Sequence, residues 1–284
     1  MTFFEFLWLC VVQTITELLP ISSSGHLVLV NSLLTSNPLP IRIIILLHLY
    51  TAVVISILLL REITSILFSY TNTTLTNPLK ITSKFKYIVS YRRFKLLKLI
   101  ALSCFFTVFP FFFVRESIGD LFSTVQFVGW ALLANGIILM ISTKLKSGDK
   151  SIYDISWLAA CLIGFAQFVG IVPGISRLGI TLLIALLCGI QWRNAVIYSY
   201  LISVPVIIGG AINEMIPLIN NTSEFSSSLS ILHHLVGFII VAVIGITAIR
   251  LLLSKIGQKS LIPFAIWCWI AGATAILLTS SASQ

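Results

Sequence analysis

The sequence predicts an all-α polytopic membrane protein arranged as an inverted repeat with two re-entrant helical hairpins. Three observations lead there: the composition leaves too little polar material for a water-facing surface, long apolar runs recur along the chain, and two short runs follow polar breaks that match one another. Of 284 residues, 18 are Lys or Arg and 9 are Asp or Glu, while 58% are hydrophobic. Mean hydropathy is +1.06. A soluble domain carries about 25% charged residues, so this chain belongs in a bilayer. At about 20 residues per crossing it has room for membrane helices and for no separate soluble catalytic domain.

The first apolar run covers 3 to 19, and no Lys or Arg precedes Arg42. It therefore lacks the positive n-region of a cleaved signal peptide and is expected to belong to the fold. Runs at 43 to 60, 96 to 114, 121 to 142, 155 to 172, 195 to 216, 232 to 252 and 262 to 280 are long enough for membrane-embedded helices. Those at 24 to 34 and 178 to 191 are too short to cross comfortably. Each follows a break deep in apolar sequence, Pro20 to Gly25 and Pro173 to Gly179, as in re-entrant hairpins. The cysteines Cys10, Cys104, Cys161, Cys188 and Cys268 are scattered through apolar runs without a CxxC and read as packing residues.

The basic balance points to lipid rather than nucleic acid. Arg61, Lys80, Lys84, Lys86, Arg92, Arg93, Lys95 and Lys98 cluster in one polar stretch, 61 to 95 and its edge, read as a cytoplasmic loop. Threading the runs from there puts fifteen of the eighteen Lys and Arg inside, Arg42 and Arg115 outside, and Arg177 in the second break. Both termini and the 217 to 228 loop then face outward. The first hairpin begins and ends outside and the second begins and ends inside, so the halves, 1 to 142 and 151 to 284, are inverted. From Gln13 a Ser follows at +9 (Ser22) and a Gly at +12 (Gly25); from Gln167 the same offsets reach Ser176 and Gly179. Inverted repeats with broken helices bring their breaks together near the midplane, where half-helix N-termini hold anions.

The chemistry concentrates in these breaks. Gln13 and Glu17 are four apart and share a helix face, and a carboxylate at membrane depth needs a cavity, a partner or an ion. A carboxylate merely hydrogen-bonded between helices is the competing reading. After Pro20, Ser22, Ser23, Ser24, Gly25 and His26 open a new helix whose N-H groups and hydroxyls form an anion cradle; a plain serine N-cap would leave His26 without a reason. In the second break Arg177 follows Ser176. A guanidinium there calls for an anion, and phosphate suits its fork, with a structural pair to Glu17 as the alternative. His48 within its apolar helix reads first as a satisfied interhelical histidine, with an approach to the pocket as the alternative; His233 and His234 read as interfacial, and Trp157, Trp192 and Trp267 as belt residues.

These stretches resemble the undecaprenyl-diphosphate phosphatases of bacteria, the bacitracin-resistance family. That family carries a carboxylate pair spaced ExxxE, a P-V/I-S-S-x-G-H stretch and PGxSRSGxT; here they stand as Gln13 to Glu17, Pro20 to His26, and Pro173 to Thr181. Weaker matches extend the similarity to about residue 270. Gln13 replaces the first glutamate and Leu178 the second serine of the SRS run. The resemblance implies Glu17, Ser23, His26 and Arg177 as the catalytic set, with Gln13, Ser22, Ser24, Gly25, Ser176 and Thr181 lining the pocket. It implies hydrolysis of a polyprenyl diphosphate to the monophosphate and inorganic phosphate, recycling the lipid carrier of cell-wall synthesis. Arg177 would stabilise the transferred phosphoryl group. Glu17 would hold a divalent cation, Mg or Ca, or position the nucleophile. His26 would be acid/base or nucleophile, with Ser23 the rival nucleophile. The expected setting is the bacterial inner membrane with the site facing outward; a homodimer is compatible with it, and no nucleic-acid partner is expected. A lipid-phosphate flippase of the same architecture, or a homologue weakened at Gln13 and Leu178, are the competing readings.

Overall fold

The computed structural model describes residues 2–34, 41–74, 83–118, 124–220, 230–254 and 261–282. The described residues form ten helices: α1 (Phe3–Leu18), α2 (Ser23–Leu34), α3 (Ile41–Thr74), α4 (Ser83–Ile118), α5 (Val125–Lys144), α6 (Trp157–Val169), α7 (Arg177–Leu187), α8 (Trp192–Asn220), α9 (Ile231–Leu253) and α10 (Leu261–Ala282). Every apolar run of the sequence becomes one helix. Stretches of 20 to 25 residues in α3, α4, α5, α8, α9 and α10 are long and apolar enough to cross a bilayer. Large apolar side chains such as Phe112, Phe113 and Leu277 point outward, Phe113 with 74% of its surface exposed. In water such a surface would aggregate; in lipid it is the contact surface of a multi-pass membrane protein.

The remaining helices are short: α1 has 16 residues, α2 12, α6 13 and α7 11. At about 1.5 Å per residue none reaches the roughly 30 Å of a hydrocarbon core. Proline sets the first break. Leu19, ahead of Pro20, leaves the helix with φ −105° and ψ 153°, the extended conformation a following proline imposes. The second opens at Gly170 and closes where Ser176 caps α7 by accepting from Gly179 N–H.

The polar stretch from 61 to 95 is not one loop. α3 continues to Thr74 and α4 begins at Ser83; residues 61 to 77 contain neither Gly nor Pro, and ordinary polar residues cost a helix at most about 0.7 kcal/mol each. Lys80, Lys255, Lys259, Asp120 and most of the 217 to 228 loop lie outside the described residues. Among the described helices α5 packs along α10, α4 along α6, α1 along α9, and α3 along α8, while α1 meets α2 and α6 meets α7. Interhelical hydrogen bonds fasten this arrangement: Ser103 donates to Ala160 O at 2.8 Å, Tyr198 to Leu99 O at 3.0 Å, and Gln167 to Thr107 Oγ1 at 3.0 Å. The apolar core includes Leu18, Ile21, Leu132, Ile163, Leu182 and Tyr198, so it encloses both breaks. Trp157 is exposed as a belt residue should be, whereas Trp192 is 6% exposed and donates its indole N–H to Leu252 O at 2.8 Å.

Candidate active site

The two breaks touch. Ser22 adopts φ +71°, unusual for a residue with a Cβ, and its Oγ accepts both from Gly25 N–H in its own break, at 3.3 Å, and from Gly174 N–H in the other, at 3.1 Å. A Cβ on Gly25 would lie 2.9 Å from Gly174 Cα, so only glycine admits this approach; Gly174 itself has φ +98°. Asn135, in the middle of α5, bridges the same junction. Its Nδ2 donates to Pro20 O at 3.0 Å and its Oδ1 accepts from Ser176 N–H at 2.9 Å.

Beside this junction lies a polar cavity of about 110 Å³ with Glu17, Ser22 to Ser24, His48, Ser176, Arg177 and Ser199 in its wall. The Ser23 hydroxyl donates a very short hydrogen bond to Glu17 Oε2. Arg177 Nη2 stands 3.9 Å from Glu17 Oε1, and His48 Nε2 stands 3.7 Å from Glu17 Oε2. Among the described residues Arg177 Nε and Nη1, and Ser199 Oγ, are buried without a hydrogen-bond partner. A single carboxylate at ion-pair distance leaves much of the guanidinium fork unused, and buried donors of this kind are paired when a site is filled. The first turns of α2 and α7 open on the same cavity and add N-terminal helix charge. A second, apolar cleft of about 600 Å³ runs between α3, α4 and α8, bounded by Ile41, Ile45, Val108, Phe112, Ile207 and Gly210 among others, and reaches the same Arg177 and His48.

Of the residues expected from sequence, Glu17, Ser22, Ser23, Ser24, Ser176 and Arg177 line the cavity. Gly25 stands behind it as the contact between breaks. Thr181 turns away, its hydroxyl spent on Arg177 O and Leu178 O within α7. Gln13 is fully buried outside the cavity wall, and both its amide atoms lack partners among the described residues. His26 is occupied at both ring nitrogens: Nδ1 meets Ser22 O at 2.8 Å and Nε2 accepts from the Trp267 indole N–H at 2.8 Å. A carbonyl only accepts and an indole only donates, so His26 is held as the neutral Nδ1–H tautomer. Trp267, expected in the interfacial belt, is thereby tied to the site.

Sequence reading missed Asn135 and Ser199 and undervalued His48. An asparagine inside an otherwise apolar run was the available signal for Asn135. Ser199 and Ser203, four residues apart on one helix face, were the signal for the α8 wall. Tyr200 supports that wall by donating to Leu18 O at 2.6 Å.

A divalent cation finds one carboxylate here, Glu17, flanked by hydroxyls. Among the described residues no three His, Cys, Asp or Glu side chains gather as a metal site. That donor set does not form a closed protein cage. It suits Mg²⁺ or Ca²⁺ held jointly by one carboxylate and the phosphates of a substrate.

Fold and site thus define a class: a multi-pass helical membrane protein whose interrupted helices meet around a Glu, Ser and Arg cluster at the head of an apolar cleft. The model of the family "Bacitracin resistance protein BacA" matches residues 6–274, and the chain belongs to that family. It is 34% identical over 278 residues to the undecaprenyl-diphosphatase of Halothermothrix orenii, covering 98% of each chain. Over 270 residues it is 33% identical to that of Methanosphaera stadtmanae, covering 94% of this chain and 95% of the other. A 203-residue match to the Thermosipho africanus protein of the same name, 72% of this chain and 75% of that one, is 36% identical.

Proposed function

We propose that this protein hydrolyses undecaprenyl diphosphate to undecaprenyl phosphate and inorganic phosphate, recycling a lipid carrier of cell-wall synthesis. The observation that carries the reading is the Arg177 guanidinium, whose buried Nε and Nη1 are unpartnered among the described residues while its Nη2 stands 3.9 Å from the Glu17 carboxylate that also accepts the Ser23 hydroxyl. A diphosphate fills that need, its prenyl tail fits the adjoining apolar cleft, and the relatives bear the matching name. Ser23 is the nucleophile, and Glu17, already holding its hydroxyl, takes the proton. Arg177 and the N–H groups opening α2 and α7 stabilise charge on the transferred phosphoryl group. Ser22, Ser24 and Ser176 frame the phosphate. His26, fixed between Ser22 O and Trp267, positions the turn that presents Ser23. A divalent cation shared by Glu17 and the substrate would neutralise diphosphate charge.

The two halves are inverted repeats, each beginning with a re-entrant hairpin. The helix pairings support this: exchanging the first five helices for the last five turns the α1–α9 contact into α6–α4 and leaves α3–α8 and α5–α10 unchanged. The caps support it as well, since Ser22 and Ser176 each accept from the glycine three residues on, at 3.3 and 3.1 Å. The site faces outward in the bacterial cytoplasmic membrane. The apolar cleft reaches Ile41, Phe112 and Glu214, at helix ends that the charge distribution assigns to the outer side. The test is phosphate release from undecaprenyl diphosphate by the purified protein; a carrier of the same architecture would move the lipid and release none.

A further inference from the structure

Ser199 is a buried serine of α8 in the wall of the polar cavity, 2% exposed, and its Oγ has no hydrogen-bond partner among the described residues. A helical serine commonly spends its hydroxyl on a carbonyl three or four residues back. Ser203, one turn further along the same wall, donates to Tyr200 O at 2.8 Å, and Ser56 on α3 donates to Ala52 O at 2.7 Å. Ser199 makes no such bond. Building on the hydrolase reading above, we propose that Ser199 is a further substrate-binding and specificity-determining residue, whose hydroxyl donates to an oxygen of the terminal phosphate and so favours a lipid diphosphate over the monophosphate.

The unpartnered buried atoms converge on one place. Among the described residues they belong to Gln13, Gln167, Arg177 and Ser199. The two glutamines stand outside the cavity wall, whereas Arg177 and Ser199 both line it. Buried donors of this kind call for an acceptor, and a phosphate satisfies a guanidinium and a hydroxyl together. The protein's own carboxylate there, Glu17, accepts from Ser23 and stands 3.9 Å from Arg177 Nη2, but takes nothing from Ser199. The backbone around Ser199 is anchored on both sides. Tyr198 donates to Leu99 O on α4 at 3.0 Å, and Tyr200 donates to Leu18 O at the end of α1 at 2.6 Å. These bonds fix the register of the residue between them.

The two spaces order the phosphates. Arg177 borders both the polar cavity and the apolar cleft, whereas Ser23 and Ser199 border only the cavity. With the prenyl tail in the cleft, the phosphate next to the lipid lies at the Arg177 junction, and the terminal phosphate lies beyond it, against Ser23 and Ser199. A monophosphate held by the same tail stops at the junction. Ser199 therefore touches the phosphoryl group that only the diphosphate carries.

The experiment compares purified full-length wild type with Ser199→Ala. It measures the ligand-free unfolding midpoint in detergent, the affinities for the non-hydrolysable undecaprenyl methylenediphosphonate and for undecaprenyl phosphate, and phosphate release from undecaprenyl diphosphate. The expected midpoint holds or rises, because alanine removes a hydroxyl that has no partner within the described residues. Diphosphonate affinity should fall by about tenfold or more, the loss of one hydrogen bond to a charged group, while monophosphate affinity stays within about threefold. Phosphate release at low substrate should fall with the diphosphonate affinity. A serine serving only the fold would lower the midpoint and weaken both lipids alike. Diphosphonate affinity within about threefold of wild type, an equal loss for the two lipids, or a lowered ligand-free midpoint would overturn the assignment. A wild type that releases no phosphate would remove the hydrolase reading and this one together; an active wild type whose variant binds the diphosphonate as well as it does would remove only this one.

Discussion

Glu17→Gln keeps the size of the side chain and one carbonyl oxygen, and deletes the charge. Three groups lose a charged partner: the Ser23 hydroxyl, Arg177 Nη2 at 3.9 Å and His48 Nε2 at 3.7 Å. A positioned base contributes about 10² to 10⁴ in rate, or roughly 2.7 to 5.4 kcal/mol of barrier at 1.36 kcal/mol per decade. No second carboxylate is available on this face of α1, because Gln13 stands one turn away. kcat should therefore fall at least about a hundredfold. Ground-state binding changes less than kcat. A phosphate about 4 Å from a like-charged carboxylate is repelled by about 4 kcal/mol at an effective dielectric of 20, and relief of that repulsion offsets the loss of the carboxylate's share in a cation held with the substrate. The assay is initial-rate phosphate release from detergent-solubilised undecaprenyl diphosphate over a substrate range. A variant retaining more than about a tenth of the wild-type rate, a loss under about 1.4 kcal/mol, would refute the reasoning. So would a raised KM with kcat unchanged, which would make Glu17 a binding residue only.

Other consequences follow from the junction. Gly25→Ala places a Cβ 2.9 Å from Gly174 Cα, so the breaks must separate; phosphate release should drop at least about tenfold, measured beside an unchanged helical circular dichroism spectrum. Asn135→Ala leaves Pro20 O and Ser176 N–H without their shared partner and should lower stability by about 1–3 kcal/mol, read as a lower unfolding midpoint in detergent. Gln13→Met replaces a fully buried amide, unpartnered among the described residues, by an apolar side chain of similar volume. The midpoint should hold or rise, and phosphate release should stay within about threefold.

The local signals of this protein were legible in its sequence. Pro20 and Pro173 in apolar surroundings marked the ends of α1 and α6, and the Ser and Gly offsets marked two caps that the structure closes with equivalent hydrogen bonds. Glu17 and Arg177 stood out because charges at membrane depth are costly without a partner, and they stand 3.9 Å apart. What escaped depends on partners far along the chain. Asn135 reaches across to residues 115 earlier and 41 later, and Trp267 to a histidine 241 residues away. Nothing within either helix fixes which way a polar side chain turns. The same is true of His26, whose ring nitrogens meet Ser22 O and the Trp267 indole N–H. The continuation of α3 and α4 into the polar stretch was hidden because charge marks the edge of the membrane but not the end of a helix.

The central claim, one site assembled from both breaks that cleaves a lipid diphosphate, is tested most directly by comparing wild type with Arg177→Lys. Phosphate release from undecaprenyl diphosphate is followed together with the lipid product. The wild type should release one phosphate per lipid and leave the monophosphate, while the lysine variant should be slower by about 10² or more, since an ammonium cannot reproduce the guanidinium fork. A wild type that releases no phosphate, or a lysine variant above about a tenth of its rate, would contradict the account.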